Sequence, residues 1–197
     1  MAGTGIGAIV LAGGKSSRMG TDKALLDFGG MTILERTIAA LLKLTPNILV
    51  VADSTERYKL ACGKIIADLY PGIGPVGGLL TGLNAVGDGY HYVVACDMPF
   101  LNPNVLALLM RAAESPLDAV VPERNGMPEP LCGVYAQSAS HKIMKYLEDG
   151  GSSARGALDV LNTRRVGEGV LRRLDPDGRS LESANTASDY ERLKGLL

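Results

Sequence analysis

Short apolar runs without polar alternation, each followed by a helical stretch, recur along nearly the whole chain and set its fold class. A strand that is apolar at every position must be covered on both faces, a condition met in mostly parallel sheets flanked by helices. Ile6–Leu11 (IGAIVL) is the first such run, β-branched and ending in Gly-rich sequence. Asn47–Ala52 (NILVVA), the shorter Lys64–Ala67 and His91–Ala95 (HYVVA) follow, then Ala119–Pro122 (AVVP) and Pro130–Ala136 (PLCGVYA). Between them helices are expected over Thr32–Lys43, opened by a capping box of Thr32 and Glu35, and over Val76–Val86 after a Gly/Pro turn. Asn102 caps another, with Pro103 at the first helical position, where a missing N–H costs nothing. Helices over Ala139–Leu147 and Ala154–Leu161 come next, and a last one over Ser188–Leu196 has a capping box of Ser188 and Glu191. The expected architecture is α/β, a single doubly wound, mostly parallel sheet with helices on both faces. Ligands of such sheets bind beyond the carboxyl ends of the strands, so the loops after strands one, three and four carry the most interest.

Composition narrows the function classes. The net charge is −1 with no basic block, which argues against a nucleic-acid surface, so any bound anion must be handled locally by a loop and a few cations. Cys62, Cys96 and Cys132 are widely spaced and form no CxxC pair, and they read as buried free thiols rather than metal or redox groups. No apolar stretch approaches the ~20 residues needed to cross a bilayer. Residues 1–15 lack a basic segment and Ala8–Ala12 is too short for a signal core, so the cytoplasm is the expected location and no membrane partner is expected.

The loop after the first strand, Leu11 to Lys23, reads LAGGKSSRMGTDK. Gly13, Gly14 and Gly20 let the backbone turn tightly, and successive N–H groups in such a turn form an anion-binding concavity. Lys15, Arg18 and Lys23 add cations, and Asp22 is the only acid nearby. Pointed donors with mobile positive charge are what a triphosphate needs. The alternative is a Gly-rich connector with solvated basic residues. A Walker A loop is excluded, because Ile9 stands where its first Gly would pair with Gly14 and Lys15. The dinucleotide fingerprint has a literal match at Gly72, Gly74 and Gly77, but Pro75 interrupts it and Leu69–Pro71 separates it from the preceding strand. Hydride transfer with NAD is therefore the last of the readings.

Two further loops carry single carboxylates. Asp68 opens DLYPGIGPVGG, in which Gly74, Gly77 and Gly78 permit close approach of a flat base and Pro75 stiffens the turn. Asp68 is either a ligand group or an ordinary surface acid of the connector. Asp97, in CDMPF, follows the fourth strand and either begins a turn or holds a cation. Mg²⁺ takes one or two protein carboxylates beside phosphate oxygens and water, so one Asp suffices. His91 on an apolar strand and His141 on a helix read as structural or surface residues.

LAGGKSSRMGTDK resembles the signature loop L-x-G-G-x-S-x-R-M-G-x-D-K of nucleotidyltransferases with a Rossmann-like fold. Among these the chain most resembles the molybdenum cofactor guanylyltransferases, with LAGG where cytidylyl- and sugar-nucleotide-transferring relatives more often carry LAAG. The tail GPVGG is similar to that family's G-P-L-x-G element, and CDMPF to its C-D-x-P-F/Y element. The resemblance implies one nucleotidyltransferase domain over residues 1–197, its N-terminal part binding nucleotide and its C-terminal part the acceptor. It implies GTP and molybdopterin as substrates, Mg²⁺ as cofactor, and other molybdenum cofactor biosynthesis or target proteins as further partners. Leu11, Ala12, Gly13, Gly14, Lys15 and Lys23 would hold the nucleotide, with Asp68, Gly77 and Gly78 at the base and ribose. Asp68 would accept the N1–H and exocyclic amine of guanine, Asp97 would hold the metal, and Lys23 and Arg18 would stabilise phosphate charge. Weaker likenesses lie in PEPLCGVY (128–135), in Gly150–Gly156 with Ser152, Ser153 and Arg155 as an acceptor-phosphate site, and in Asn185-Thr186, where Ala187 replaces the family's Pro. The same motifs leave open a cytidylyltransferase of this fold, and a nucleotide-binding module without catalysis, against which the retention of both Lys23 and Asp97 argues.

Overall fold

In the computed structural model, which describes residues 5–13 and 22–197, an eight-stranded sheet organises the chain. Its strands are β1 (Ala8–Ala12), β2 (Ile48–Ala52), β3 (Lys64–Ala67), β4 (Tyr90–Ala95), β5 (Ala119–Arg124), β6 (Met127–Pro128), β7 (Cys132–Ala136) and β8 (Thr163–Val166). The spatial order is β3-β2-β1-β4-β7-β5-β6, with β8 beside β5. Neighbours among β1 to β4 are parallel, as are β5 and β8, whereas β7 runs antiparallel to both β4 and β5. The sheet is thus mostly parallel, with β7 reversed at its centre and the short β6 reversed at its edge.

Burial on both faces explains the unbroken apolar runs. In β1, Ala8, Val10 and Ala12 face one side with Leu34, Ile38 and Leu41 of α1 (Ile33–Leu41). Ile9 and Leu11 face the other with Val76, Leu79, Leu80 and Leu83 of α2 (Pro75–Ala85). The same division continues outward, with α3 (Pro103–Arg111) on the first face and α4 (Ala139–Glu148) on the second. Each fully buried Leu or Ile contributes roughly 1.5–3 kcal/mol by removal from water, so these two layers dominate stability. No helix among the described residues is long and apolar enough to cross a membrane.

Local signals placed most helix starts. Thr32 and Glu35 form the expected capping box, and the Asn102 side chain accepts from the Asn104 N–H ahead of Pro103. Three expectations require correction. The helix expected over Ala154–Leu161 is one α turn, α5 (Ala154–Ala157), passing into a 3-10 turn over Leu158–Val160. The strand expected from Pro130 begins at Cys132, because Pro128–Leu131 turns the chain back from β6. The chain also forms β8 and the single-turn α6 (Glu168–Leu171), neither of which has an apolar run to announce it.

The last helix differs in its start as well. It is α7 (Ala187–Lys194), capped by Thr186 with Asp189 rather than by Ser188 with Glu191. Leu193 of α7 joins Phe28, Ile33 and Ala184 in a small core of its own, with Phe100 and Tyr190 packed on it. That cluster lies between the segment after Lys23 and the segment after Asp97. It therefore draws the C-terminal part of the chain to the end of the sheet where Lys23 and Asp97 lie.

Candidate nucleotide site

The carboxyl ends of β1, β2, β3 and β4 open onto one cleft of about 570 Å³. Leu11, Ala12, Gly13, Lys23, Asp68, Gly78 and Asp97 all line it, so most of the residues singled out in the sequence come together. Gly14, Lys15 and Arg18 lie outside the described residues. Gly77 is absent from the lining. It sits in the first turn of α2, where an added Cβ would come 2.8 Å from the Tyr70 carbonyl oxygen, so its smallness serves helix-to-loop packing.

Backbone geometry fixes the end of β1. Gly13 adopts φ +140°, and a Cβ there would meet the Asp53 N–H nitrogen at 3.1 Å. Only glycine lets β1 turn out of the sheet against the next strand's exit at this point. Asp53 itself follows β2, lines the cleft and pairs with Arg57 at 3.3 Å on the surface. Its position beyond a strand's carboxyl end was a signal available in the sequence.

Lys23 opens a 3-10 turn over Lys23–Leu25 that Asp22 caps, its carboxylate accepting from the Ala24 N–H at 3.1 Å. The buried Tyr58 hydroxyl donates to the other Asp22 oxygen at 2.6 Å, and burial together with that carboxylate pushes the phenol far above its usual range. The Lys23 ammonium in turn donates to Asn185 Oδ1 at 3.3 Å. Asn185 is held in place because the neighbouring Ala184 N–H donates to the Asp97 carbonyl at 2.9 Å. Arg36 completes the frame, donating to the carbonyls of Phe28 and Pro99 while lying 5.2 Å over the Phe28 ring.

Asp97 stands in the turn after β4. Burial pushes its carboxyl above the ordinary range, and the Lys23 charge pulls it back down. Its carboxylate has no hydrogen-bond partner from another described residue. A desolvated anion facing a cleft without a bonded partner is costly unless a cation joins it. No cluster of three or more His, Cys, Asp or Glu able to hold a metal occurs among the described residues. The donor set therefore fits an ion that takes one protein carboxylate and completes its shell with phosphate and water, which is the habit of Mg²⁺.

On the far side of Asp97 the reversed strand delivers Pro128–Leu131 to the same rim, and Leu131 lines the cleft. Glu129 lies there half-buried. Burial raises its carboxyl, opposed by Arg124 and Arg155, so those two cations share its surroundings. Ser153 is committed to capping α5, accepting from the Gly156 N–H at 2.9 Å. His91 lies near the opposite end of β4 and makes two backbone contacts.

Comparison with known proteins gives the family of the chain and relatives of its fold. A family model described as "MobA-like NTP transferase domain" matches residues 8–166. The chain is 30% identical over 190 residues to a molybdenum cofactor guanylyltransferase of Desulfosudis oleivorans, covering 96% of this chain and 94% of the relative. It is 33% identical to a probable molybdenum cofactor guanylyltransferase of Chloroflexus aggregans, covering 96% and 93%. A crystal structure of molybdopterin-guanine dinucleotide biosynthesis protein A from Archaeoglobus fulgidus superposes with a TM-score of 0.81 at 28% identity, covering 97% of this chain and 98% of that one. A cytidylyltransferase structure from Thermus thermophilus shares the fold at 16% identity and a TM-score of 0.71, covering 98% of each chain.

Proposed function

The chain belongs to the MobA-like NTP transferase family and is a nucleotidyltransferase, and from that premise we propose that it transfers GMP from GTP to molybdopterin, with or without bound molybdenum. The observation that carries the reading is a bonded Lys23 and a desolvated Asp97, without a hydrogen-bond partner for its carboxylate among the described residues, facing one cleft beyond the strand ends. The names of its curated relatives support guanine and molybdopterin over other bases and acceptors.

A terminal phosphate oxygen of the acceptor attacks the α-phosphorus of GTP in line. A new P–O–P bond forms, the bond to the bridging oxygen breaks, and pyrophosphate leaves with that oxygen's electron pair. The acceptor is a phosphate monoester with a second pKa of about 6, so it is already anionic near neutrality and needs no strong base. Catalysis then rests on positioning and on neutralising charge.

Each residue has a part in this. The backbone of Leu11–Gly13 borders the base and the first phosphates, and Gly78 leaves room for ribose. Asp68 accepts the N1–H and exocyclic amine of guanine. Lys23, anchored by Asn185, places its ammonium against the phosphates, and Arg18, Lys15 and Gly14 extend that contact along the loop. Asp97 holds Mg²⁺, which would supply positive charge to the triphosphate when bound. Glu129, Arg124 and Arg155 form the acceptor side.

A thermal-shift panel of GTP, CTP, ATP and NADH, each with and without Mg²⁺, tests the assignment. GTP with Mg²⁺ is expected to stabilise the protein by about 2.7 kcal/mol at ~100-fold excess over its dissociation constant. Metal-dependent stabilisation by CTP and not GTP would overturn guanylyl transfer. Asp97→Ala is expected to abolish transfer and remove the Mg²⁺ dependence while still folding, since it deletes a desolvated carboxylate that no described residue hydrogen-bonds. An Asp97→Ala protein that still transfers GMP rules out the metal role.

A further inference from the structure

The Asp68 carboxylate is not free to turn. Its Oδ1 accepts the Tyr70 N–H at 2.9 Å and the Thr81 hydroxyl at 2.8 Å. Thr81 Oγ1 in turn accepts the Leu69 N–H at 3.0 Å. An amide N–H can only donate and a carboxylate can only accept, so the direction of the Thr81 proton is fixed toward Asp68. Thr81 is 1% exposed on α2, one turn beyond the Gly78 that floors the cleft.

A carboxylate offers about four acceptor positions, two on each oxygen. Those on Asp68 Oδ1 are filled from within the protein. Oδ2 has no hydrogen-bond partner among the described residues, and it lies 3.9 Å from where a Cβ on Gly78 would stand. The oxygen left with both positions open is thus the one beside the cleft floor.

We propose that Thr81 is a positioning residue for nucleobase specificity, clamping Asp68 so that Oδ2 alone meets the paired donors of the base. The inference rests on the assignment of Asp68 to the guanine edge made above. Thr81 touches no substrate itself. It works by removing the rotamer freedom that would let Asp68 swing away and meet the amine of an adenine or no donor at all. Preorganised acceptors discriminate strongly because a base with the wrong edge leaves them unpaired.

Equilibrium titrations with Mg²⁺ and GTP, inosine triphosphate or ATP test this in Thr81→Val, Thr81→Ser and Asp68→Asn. Inosine keeps the N1–H and lacks the 2-amino group, whereas adenine has neither and carries its amine at C6. Thr81→Val is expected to weaken GTP about tenfold, the worth of one hydrogen bond to a charged group, and to leave ATP within about twofold. Thr81→Ser, which keeps the hydroxyl, is expected to restore the preference, and Asp68→Asn to lose it. Melting curves of each variant separate folding from recognition. Equal weakening of all three nucleotides by Thr81→Val, or an unchanged GTP preference, overturns the proposal. An unchanged preference in Asp68→Asn instead overturns the base contact on which it rests.

Discussion

His91 shows how an apolar strand accommodates an ionisable ring. The Gly7 N–H donates to Nδ1 at 3.0 Å, and Nε2 lies 2.7 Å from the Gly87 carbonyl oxygen. Only the neutral tautomer with its proton on Nε2 satisfies both partners, and a proton on Nδ1 would face a donor. Burial lowers the pKa of the ring, with the Gly87 contact opposing. The folded pKa therefore lies below the unfolded value of about 6.5, and the unfolded chain takes up its proton first as pH falls. Stability from this site is full above about pH 6.5 and declines as pH drops from there to the folded pKa. Thermal melts between about pH 7.5 and pH 5 should show this loss. His91→Phe is expected to melt lower at the upper end and to fall less steeply on acidification. An equally steep fall in His91→Phe would assign the acid sensitivity to other groups.

At the scale of elements, α7 is the piece on which site assembly depends. Leu193 is fully buried, and its cluster holds Ala184 and Asn185 against Asp97 and Lys23. Leu193→Ala is expected to cost roughly 2–5 kcal/mol in denaturant unfolding. A loss below about 1 kcal/mol would mean that α7 is not part of the cooperative core. Elements whose cause is local were legible in the sequence, such as the Thr32–Glu35 capping box, the Asn102–Pro103 start and the two-sided β1. Where causes are distant, the sequence misled or stayed silent. Two overlapping capping patterns precede α7, and Thr186 prevails over Ser188 in a chain already tied at Ala184 and Asn185. An apolar run does not encode strand direction, so the reversal of β7 went unread, and β8 is a half-exposed TRRV edge. The site divides in the same way. Gly13, Lys23, Asp68 and Asp97 stand in readable motifs and Asp53 follows a readable strand, whereas Thr81 and the Asn185 anchor gain their meaning only from what folds beside them.

Across the whole molecule, the apolar layer that holds α1 and α3 also controls the chemistry of the thiols. Cys96 and Cys132 are buried, and burial pushes both upward, Cys132 to about 12. Thiolate is the reactive form, so neither should react in the native state. One thiol per chain, the part-exposed Cys62, is expected to titrate rapidly with an aromatic disulfide reagent, and all three after denaturation. Two rapid equivalents in the native protein would contradict the packing described for Cys96 and Cys132.

The bond between Lys23 and Asn185 joins residues 162 positions apart. During synthesis at about 5–20 residues per second, the lysine leaves the ribosome roughly 8–30 s before its anchor exists. The four parallel strands that frame the cleft can pair within that interval, because all of them precede Cys96. The nascent chain thus acquires the walls of its cleft well before it acquires the residue that pins Lys23. Translation order thus separates the making of the cleft walls from the anchoring of the lysine within them.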